Sequence, residues 1–245
     1  MKTLYLVRHA EAVGKGNAIP DFERSLTPKG IKSVRAVARR LAKRDIRPDQ
    51  IVSSPANRAL ETAHIFAKTF EYPLEQVVLK SALYDDQRIP TLLEVLRGLD
   101  ESVESALLCG HDPLFTEAAG ALIEGFDKSL PKGAVVGMSV EGNEWASVMP
   151  GRGRFILYDY PMSKTELQKR HKVLRRRLTE SMVAELLTVL DSVDPIAAKA
   201  IRDYTTKACR RVASRFVLTA GHAALMPMIV TPATPPKDAA TTASA

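Results

Sequence analysis

Arg8-His9-Ala10 follows a short apolar run, Leu4-Tyr5-Leu6-Val7, and Cys109-Gly110-His111 follows another, Ala106-Leu107-Leu108. A strand that ends in Arg-His delivers a guanidinium and an imidazole to the rim of a sheet, and a strand that ends in Gly-His does the same with a second imidazole. Two histidines at two strand ends, with arginines nearby, make a pocket for a doubly negative tetrahedral group. Neutral imidazole is a good nucleophile toward phosphorus and is readily released from the adduct. Fixed cations around the equatorial oxygens stabilise a transferring phosphoryl group, and guanidinium forks suit bidentate contact with those oxygens. Taken singly the residues say little: His9 reads as a hydrogen-bonded strand-end histidine, His111 as a turn residue, Arg58 as a solvated helix residue and Arg24 as a loop charge. Their joint occurrence carries the argument.

The elements needed to hold such a pocket are legible. Residues 3–8 read as a buried strand. Thr27 suits a helix N-cap and Pro28 the first turn of a helix running to about Arg44, with Val34, Val37, Ala38 and Leu41 as its apolar stripe. Strands are expected at Ile51–Ser53, Gln76–Leu79 and Ser105–Cys109, and helices at about Arg58–Phe70, Thr91–Leu99 and Pro113–Ile123. Strands alternating with helices predict an α/β fold with a mainly parallel central sheet flanked by helices. In such a sheet functional groups gather at the carboxyl ends of the strands, where Arg8-His9, Ser53-Ser54 and Gly110-His111 all fall. Beyond Gly133, three short strands are expected, at 135–138, 145–148 and 155–158. Pro161 ends this unit, giving a first domain of residues 1–161.

Residues 162–217 differ. Leu167, Leu174, Leu178, Met182, Leu186 and Leu190 recur at helical spacing, Asp194-Pro195 breaks the pattern, and Ile201, Tyr204, Ala208, Val212 and Phe216 resume it. This predicts a hairpin of two amphipathic helices. Residues 218–245 form a tail rich in Thr, Ala and Pro from about Thr231, where disorder is expected.

The chain has 245 residues, 45% hydrophobic, enough for one substantial core and a smaller element. Its two cysteines, Cys109 and Cys209, give no sign of pairing, so a reducing, cytoplasmic compartment is expected. The apolar run before Arg8 is too short for a signal-peptide core or a membrane span, so no membrane partner is expected. The net charge of +7 is confined to one segment: residues 1–163 carry 21 basic and 21 acidic side chains, and residues 164–216 carry 13 and 6. Overall basicity is therefore no argument for nucleic-acid binding by the first domain.

Leu6-Val7-Arg8-His9-Ala10, Asp21 to Thr27, Ser53 to Ala63 and Gly110-His111-Asp112-Pro113 occur in an order that resembles the histidine phosphatase superfamily, which includes the phosphoglycerate mutases, and within it the SixA-like branch. The resemblance covers roughly residues 1–160. It implies that His9 attacks phosphorus and forms a phosphohistidine intermediate that water clears. It implies that Arg8 and Arg58 bind the phosphoryl group with His111, and that Arg24 adds a further basic contact. Ser54 and Asn57 could contribute hydrogen bonds or serve as loop and cap residues. For the proton donor, Asp85 in Leu83-Tyr84-Asp85-Asp86 and Asp21 in its Asp-x-x-Arg motif both stand open. Glu11 is expected just outside the site. No metal and no cofactor are expected, since five histidines and two cysteines show no ligand spacing.

The expected substrate is phosphohistidine in a protein, because the short segment between Leu83 and Cys109 leaves little room for a cap over a small molecule. Two alternatives stand beside it: a phosphatase of a small phosphoester or of polyphosphate, and a non-catalytic binding module that works through the basic helices. His171-Lys172, Arg175-Arg176-Arg177 and Arg210-Arg211 read as polar helix faces, as a platform for an acidic partner, or as the flanks of a homodimer seam. No aromatic residues interleave the arginines, which argues against single-stranded nucleic acid.

Overall fold

The structure is a computed structural model that describes residues 1–14, 16 and 19–219; the expected disorder beyond Thr231 lies outside the described residues. In chain order the elements are β1 (Lys2–Arg8), α1 (Pro28–Ala42), β2 (Gln50–Ser53), α2 (Asn57–Phe70), β3 (Val78–Leu79), α3 (Ala82–Asp85), α4 (Ile89–Arg97), β4 (Ser105–Gly110), α5 (Leu114–Leu122), β5 (Val135–Val140), β6 (Gly153–Asp159), α6 (Lys164–Val193) and α7 (Pro195–Thr219). Short 3₁₀ turns occupy Asp21–Glu23, Leu74–Gln76 and Trp145–Ser147.

The six strands form one sheet in the order β3-β2-β4-β1-β5-β6. β3, β2, β4 and β1 are parallel; β5 runs antiparallel to β1, and β6 antiparallel to β5. Successive side chains of a strand point to opposite faces, and the core divides accordingly. Leu4, Leu6 and Leu108 pack with Leu92 and Leu96 of α4 and Phe115 of α5. Tyr5, Val7 and Leu107 pack on the other face with Val34 and Leu41 of α1 and Phe66 of α2. Strands covered on both faces must be apolar almost throughout, which is why Leu4–Val7 and Ala106–Cys109 read as continuous runs. The Thr27 cap forms as expected, its Oγ1 accepting from the Gly30 N–H at 2.9 Å.

Three expectations are corrected. Trp145–Ser147 is a 3₁₀ turn and not a strand. Trp145 is fully buried and its indole Nε1–H donates to the Val103 carbonyl at 2.7 Å, while the Glu101 carboxylate accepts its backbone N–H at 3.0 Å; a side chain and a carboxylate thus take the place of ladder partners. The strand expected at 76–79 is only Val78–Leu79, because Gln76 closes a 3₁₀ turn onto the Pro73 carbonyl. The third correction concerns the hairpin. Helices α6 and α7 break at Asp194-Pro195 as expected and pack on each other, but the buried stripe of α7 is displaced by one residue. Ala198, Thr205, Cys209, Ala213 and Val217 are buried, whereas Tyr204 is 77% exposed and Ile201, Val212 and Phe216 are also outside. Small side chains let two helices approach closely, and the larger apolar ones are left beside the seam. On α6, Leu186 is exposed and Leu187 is buried in its place.

Candidate active site

Strand register builds the site. Val7 pairs with Cys109 and Arg8 with Gly110 across β1 and β4, and Ser53 pairs with Cys109 across β2 and β4. His9, His111 and Ser54 therefore leave three adjacent parallel strands at the same height. Backbone bonds fix these exits: His9 N–H donates to the Gly110 carbonyl and Ser54 N–H to that of Cys109, both at 2.9 Å. Ala10 N–H donates to Thr62 Oγ1 at 3.1 Å, and that hydroxyl donates to the Arg58 carbonyl at 2.7 Å, which ties the strand end to α2. Gly133 closes the rim. Its φ of +77° suits a residue without Cβ, and its N–H donates to the carbonyls of both Arg8 and His9, at 3.1 and 3.0 Å.

Around this rim lies a cleft of about 590 Å³, whose wall includes Arg8, His9, Asp21, Arg24, Arg58 and His111. His9 is 9% exposed. Its Nδ1 lies 2.8 Å from the Ala10 carbonyl oxygen, which can only accept. Nδ1 therefore carries the ring proton, and Nε2 keeps a lone pair. Burial, and after it the charges of Arg58, Arg8 and Lys132, push the His9 pKa down to about 4 against the opposing Ala10 bond. Burial foremost, then Arg58 and the neighbouring His9, take His111 down to about 3, with Asp21 opposing. The two rings lie 5.2 Å apart, centroid to centroid. His111 Nε2 pairs with Ser54 Oγ at 2.8 Å, and its buried Nδ1 has no hydrogen-bond partner among the described residues.

Asp21 organises the arginines. Its Oδ1 accepts from Arg24 Nε and Nη2 at 3.1 and 2.7 Å, and its Oδ2 from Arg58 Nη2 at 2.9 Å; its backbone carbonyl takes Arg58 Nη1 at 2.6 Å. Burial raises the Asp21 carboxyl, but hydrogen bonds and charge from the two arginines outweigh it and hold the group below the usual carboxylate range. Arg8 Nη1 donates to the Leu130 carbonyl at 2.6 Å and lies 3.4 Å from Asp112 Oδ2. With Lys132 included, the wall carries four cations against the carboxylates Asp21 and Asp112, an excess of two positive charges that matches a phosphoryl dianion.

The structure brings together His9, Arg8, Arg58, His111, Arg24 and Asp21, which are distant in sequence. It does not bring Asp85: that residue is exposed at the end of α3 and is no part of the cleft wall. One turn of helix decides this, placing Tyr84 inside, where its ring sits 5.6 Å from His111, and turning its neighbour out. Glu11 lies outside the wall and pairs with Lys29 at 2.9 Å. Asn57 is structural, its Nδ2 donating to the Glu23 carbonyl at 2.9 Å and so pinning the turn that carries Asp21. Ser54 is not merely structural, since it holds His111. Sequence reasoning missed Tyr84, Gln87, Asp112 and Lys132. Asp112 adjoins His111 and was findable; Lys132 sits in a loop with no local signal.

The chain is similar to known proteins over this region. The family model for the histidine phosphatase superfamily (branch 1) matches residues 4–82. An uncharacterised protein of Picosynechococcus sp. is 30% identical over 139 residues, spanning 55% of this chain and 83% of that protein. The mitochondrial serine/threonine-protein phosphatase Pgam5 of Drosophila yakuba is 36% identical over 87 residues, but these cover only 36% of this chain and 29% of that protein. The fold matches that of SixA from Agrobacterium tumefaciens with a TM-score of 0.55 at 24% identity, covering 65% of this chain and 99% of SixA. On the motif order, the matched model and the relative covered over most of its length, the chain belongs to the histidine phosphatase superfamily.

Proposed function

We propose that the protein is a phosphatase with His9 as nucleophile and that its substrate is phosphohistidine carried on a protein. His9 Nε2 attacks phosphorus in line, the new N–P bond forms and the P–N bond to the substrate imidazole breaks. Arg8, Arg58 and His111 hold the equatorial oxygens, with Arg24 positioned through Asp21. The departing imidazole leaves as a neutral base once protonated. Water then attacks the phosphorylated His9, releasing inorganic phosphate and returning the neutral imidazole.

One observation carries the choice of substrate. Both carboxylates of the cleft wall, Asp21 and Asp112, are engaged by arginines, and Asp21 is held ionised. A serine or sugar alkoxide needs a strong acid to leave; protonated imidazole does not. The similarity to SixA, named for phosphohistidine phosphatase activity, agrees with this reading, whereas that to Pgam5 favours phosphoserine or phosphothreonine in a protein.

The test has two parts. Incubation with a protein bearing ³²P-phosphohistidine should transfer label transiently to the wild-type chain, and His9→Asn should take up none and lose turnover while its circular dichroism is unchanged. A His9→Asn variant that keeps its activity refutes the nucleophile. Parallel rates on phosphohistidine protein, phosphoserine peptide and sugar phosphate decide the substrate, and a preference for either ester overturns the phosphohistidine assignment.

A further inference from the structure

The hairpin is charged unevenly along its length. Its root, residues 164–177 and 207–219, carries eleven basic and one acidic side chain, and its far half, residues 178–206, carries two basic and five acidic. The root is the end that joins the catalytic rim. β6 lies parallel to β1, so its last residue, Asp159, sits on the same edge of the sheet as Arg8 and His9; Val135 pairs with both Val7 and Asp159. Arg40 clamps the junction, its Nε and Nη2 donating to Asp159 at 2.8 and 2.9 Å and Nη2 also to the Tyr160 carbonyl at 2.9 Å. Pro161 packs against Gly133, the residue whose N–H holds the Arg8 and His9 carbonyls. The Arg170 guanidinium lies 5.0 Å over the Tyr160 ring, seating the second turn of α6 against this corner.

Where the root meets the far half, a cleft of about 490 Å³ runs between the two helices, walled by Lys172, Arg175, Arg176 and Arg210 with Glu180, over Thr179, Val183 and Thr206. Arg210 also borders an adjoining hollow with Lys207 and Arg211. Arg176 is paired with Glu180 at 2.7 Å. Among the described residues, no carboxylate lies within ion-pair distance of Lys172, Arg175, Lys207, Arg210 or Arg211. At 1.5 Å per residue, Arg175 stands about 17 Å along α6 from its first residue. Close-set cations without counter-ions repel one another, and an anionic partner relieves that repulsion.

Resting on the phosphoprotein reading above, we propose that this basic cleft docks an acidic segment of the protein substrate while the phosphorylated residue occupies the catalytic pocket. α6 leaves from the end of the sheet that carries Arg8 and His9, and the stretch from its first residue to Arg175 alone takes about five extended residues to span. No aromatic side chain lines the cleft on which a base could stack. A second copy fits the charge poorly: root against root sets like charge against like, and the far half offers only three excess negative charges.

The test compares two phosphohistidine peptides, one with four glutamates about eight residues from the phosphorylated residue and one with four lysines there. The wild-type chain should show a KM roughly ten-fold lower or more for the acidic peptide, a difference that 0.5 M salt erases. Arg175→Glu/Arg210→Glu should abolish that preference, with kcat and the rate on free phosphoimidazole unchanged; Arg202→Glu, in the far half, should leave it intact. Equal KM values for the two peptides in the wild type, or an undiminished preference in the double variant, overturn the docking site. So does a change of oligomeric state in the double variant, which assigns the cleft to a second copy. Turnover of phosphoimidazole without turnover of either peptide instead removes the protein-substrate reading itself.

Discussion

The ionisation of His9 is where the structure makes its most exposed commitment. A histidine with the ordinary pKa of 6.5 is only about 3% neutral at pH 5, whereas one brought down to about 4 is about 90% neutral there. Burial is the larger cause and the Arg58, Arg8 and Lys132 charges add to it. Titration of the histidine ring protons by NMR, with His9→Asn and His111→Asn used for assignment, should place the His9 midpoint near 4 and that of His111 near 3. Saturating inorganic phosphate, an anion set against both rings, should raise both midpoints. Arg58→Ala should raise them too, since Arg58 lowers each. The same titration has a stability consequence. The unfolded chain takes up a proton at His9 near pH 6.5 and the folded chain only near 4, so the contribution is whole above 6.5 and is lost as pH falls toward 4. Its size for His9 alone is about 3 kcal/mol, to be read as the amount by which the fall in urea unfolding free energy between pH 7 and pH 4 is smaller in His9→Asn than in the wild type, since His111 titrates over the same window. A His9 midpoint at or above 6 in the ligand-free protein would falsify the account of a buried, cation-flanked nucleophile.

Other perturbations probe the supports. Arg58→Lys cannot reproduce the paired donation to the Asp21 carbonyl and carboxylate, so kcat/KM should fall by about 10²–10³, measured by steady-state kinetics; a loss under three-fold removes Arg58 from the oxyanion contacts. Thr62→Val leaves the buried Ala10 N–H without its acceptor and should cost about 1–3 kcal/mol in denaturant unfolding; no change would mean that another group satisfies that N–H. Asp85→Asn should leave activity within two-fold at every pH, because Asp85 lies outside the cleft wall; a selective loss of activity on esters would restore it as a proton donor.

What the sequence disclosed follows from locality. The strands ending in Arg8-His9 and Gly110-His111 are continuous apolar runs because both faces of the sheet are covered, and the Thr27-Pro28 cap is a local signal. Arg8, His9, Arg58 and His111, which meet in the cleft wall, were legible because each lies where an element ends or begins. Asp85 was misplaced because one helical step separates a group facing the cleft from one facing solvent, and no pattern in Leu83-Tyr84-Asp85-Asp86 reports the phase of a four-residue helix. Lys132 and Gln87 reach the wall from loops whose course is set only by tertiary packing. The stripe of α7 was misphased for a related reason: hydrophobicity picks out Tyr204, Val212 and Phe216, while close helix contact selects Thr205, Cys209 and Ala213. Trp145 misled because a large aromatic suits a strand, yet its indole N–H required a single carbonyl at a fixed place.

The hydrogen-bonded ladder between β1 and β4 has a consequence for how such a protein can diversify. The separation of the two imidazoles is set by neighbouring strands, a spacing near 4.8 Å that no sheet can alter much, and not by any connecting segment. Crossovers on the opposite edge are free to lengthen, shorten or acquire appendages without moving the two rings apart, whereas the bordering loops that carry Asp21 and Gly133 are tied to Arg24, Arg58 and the His9 carbonyl. A descendant can thus change what it admits while the reaction it performs stays the same.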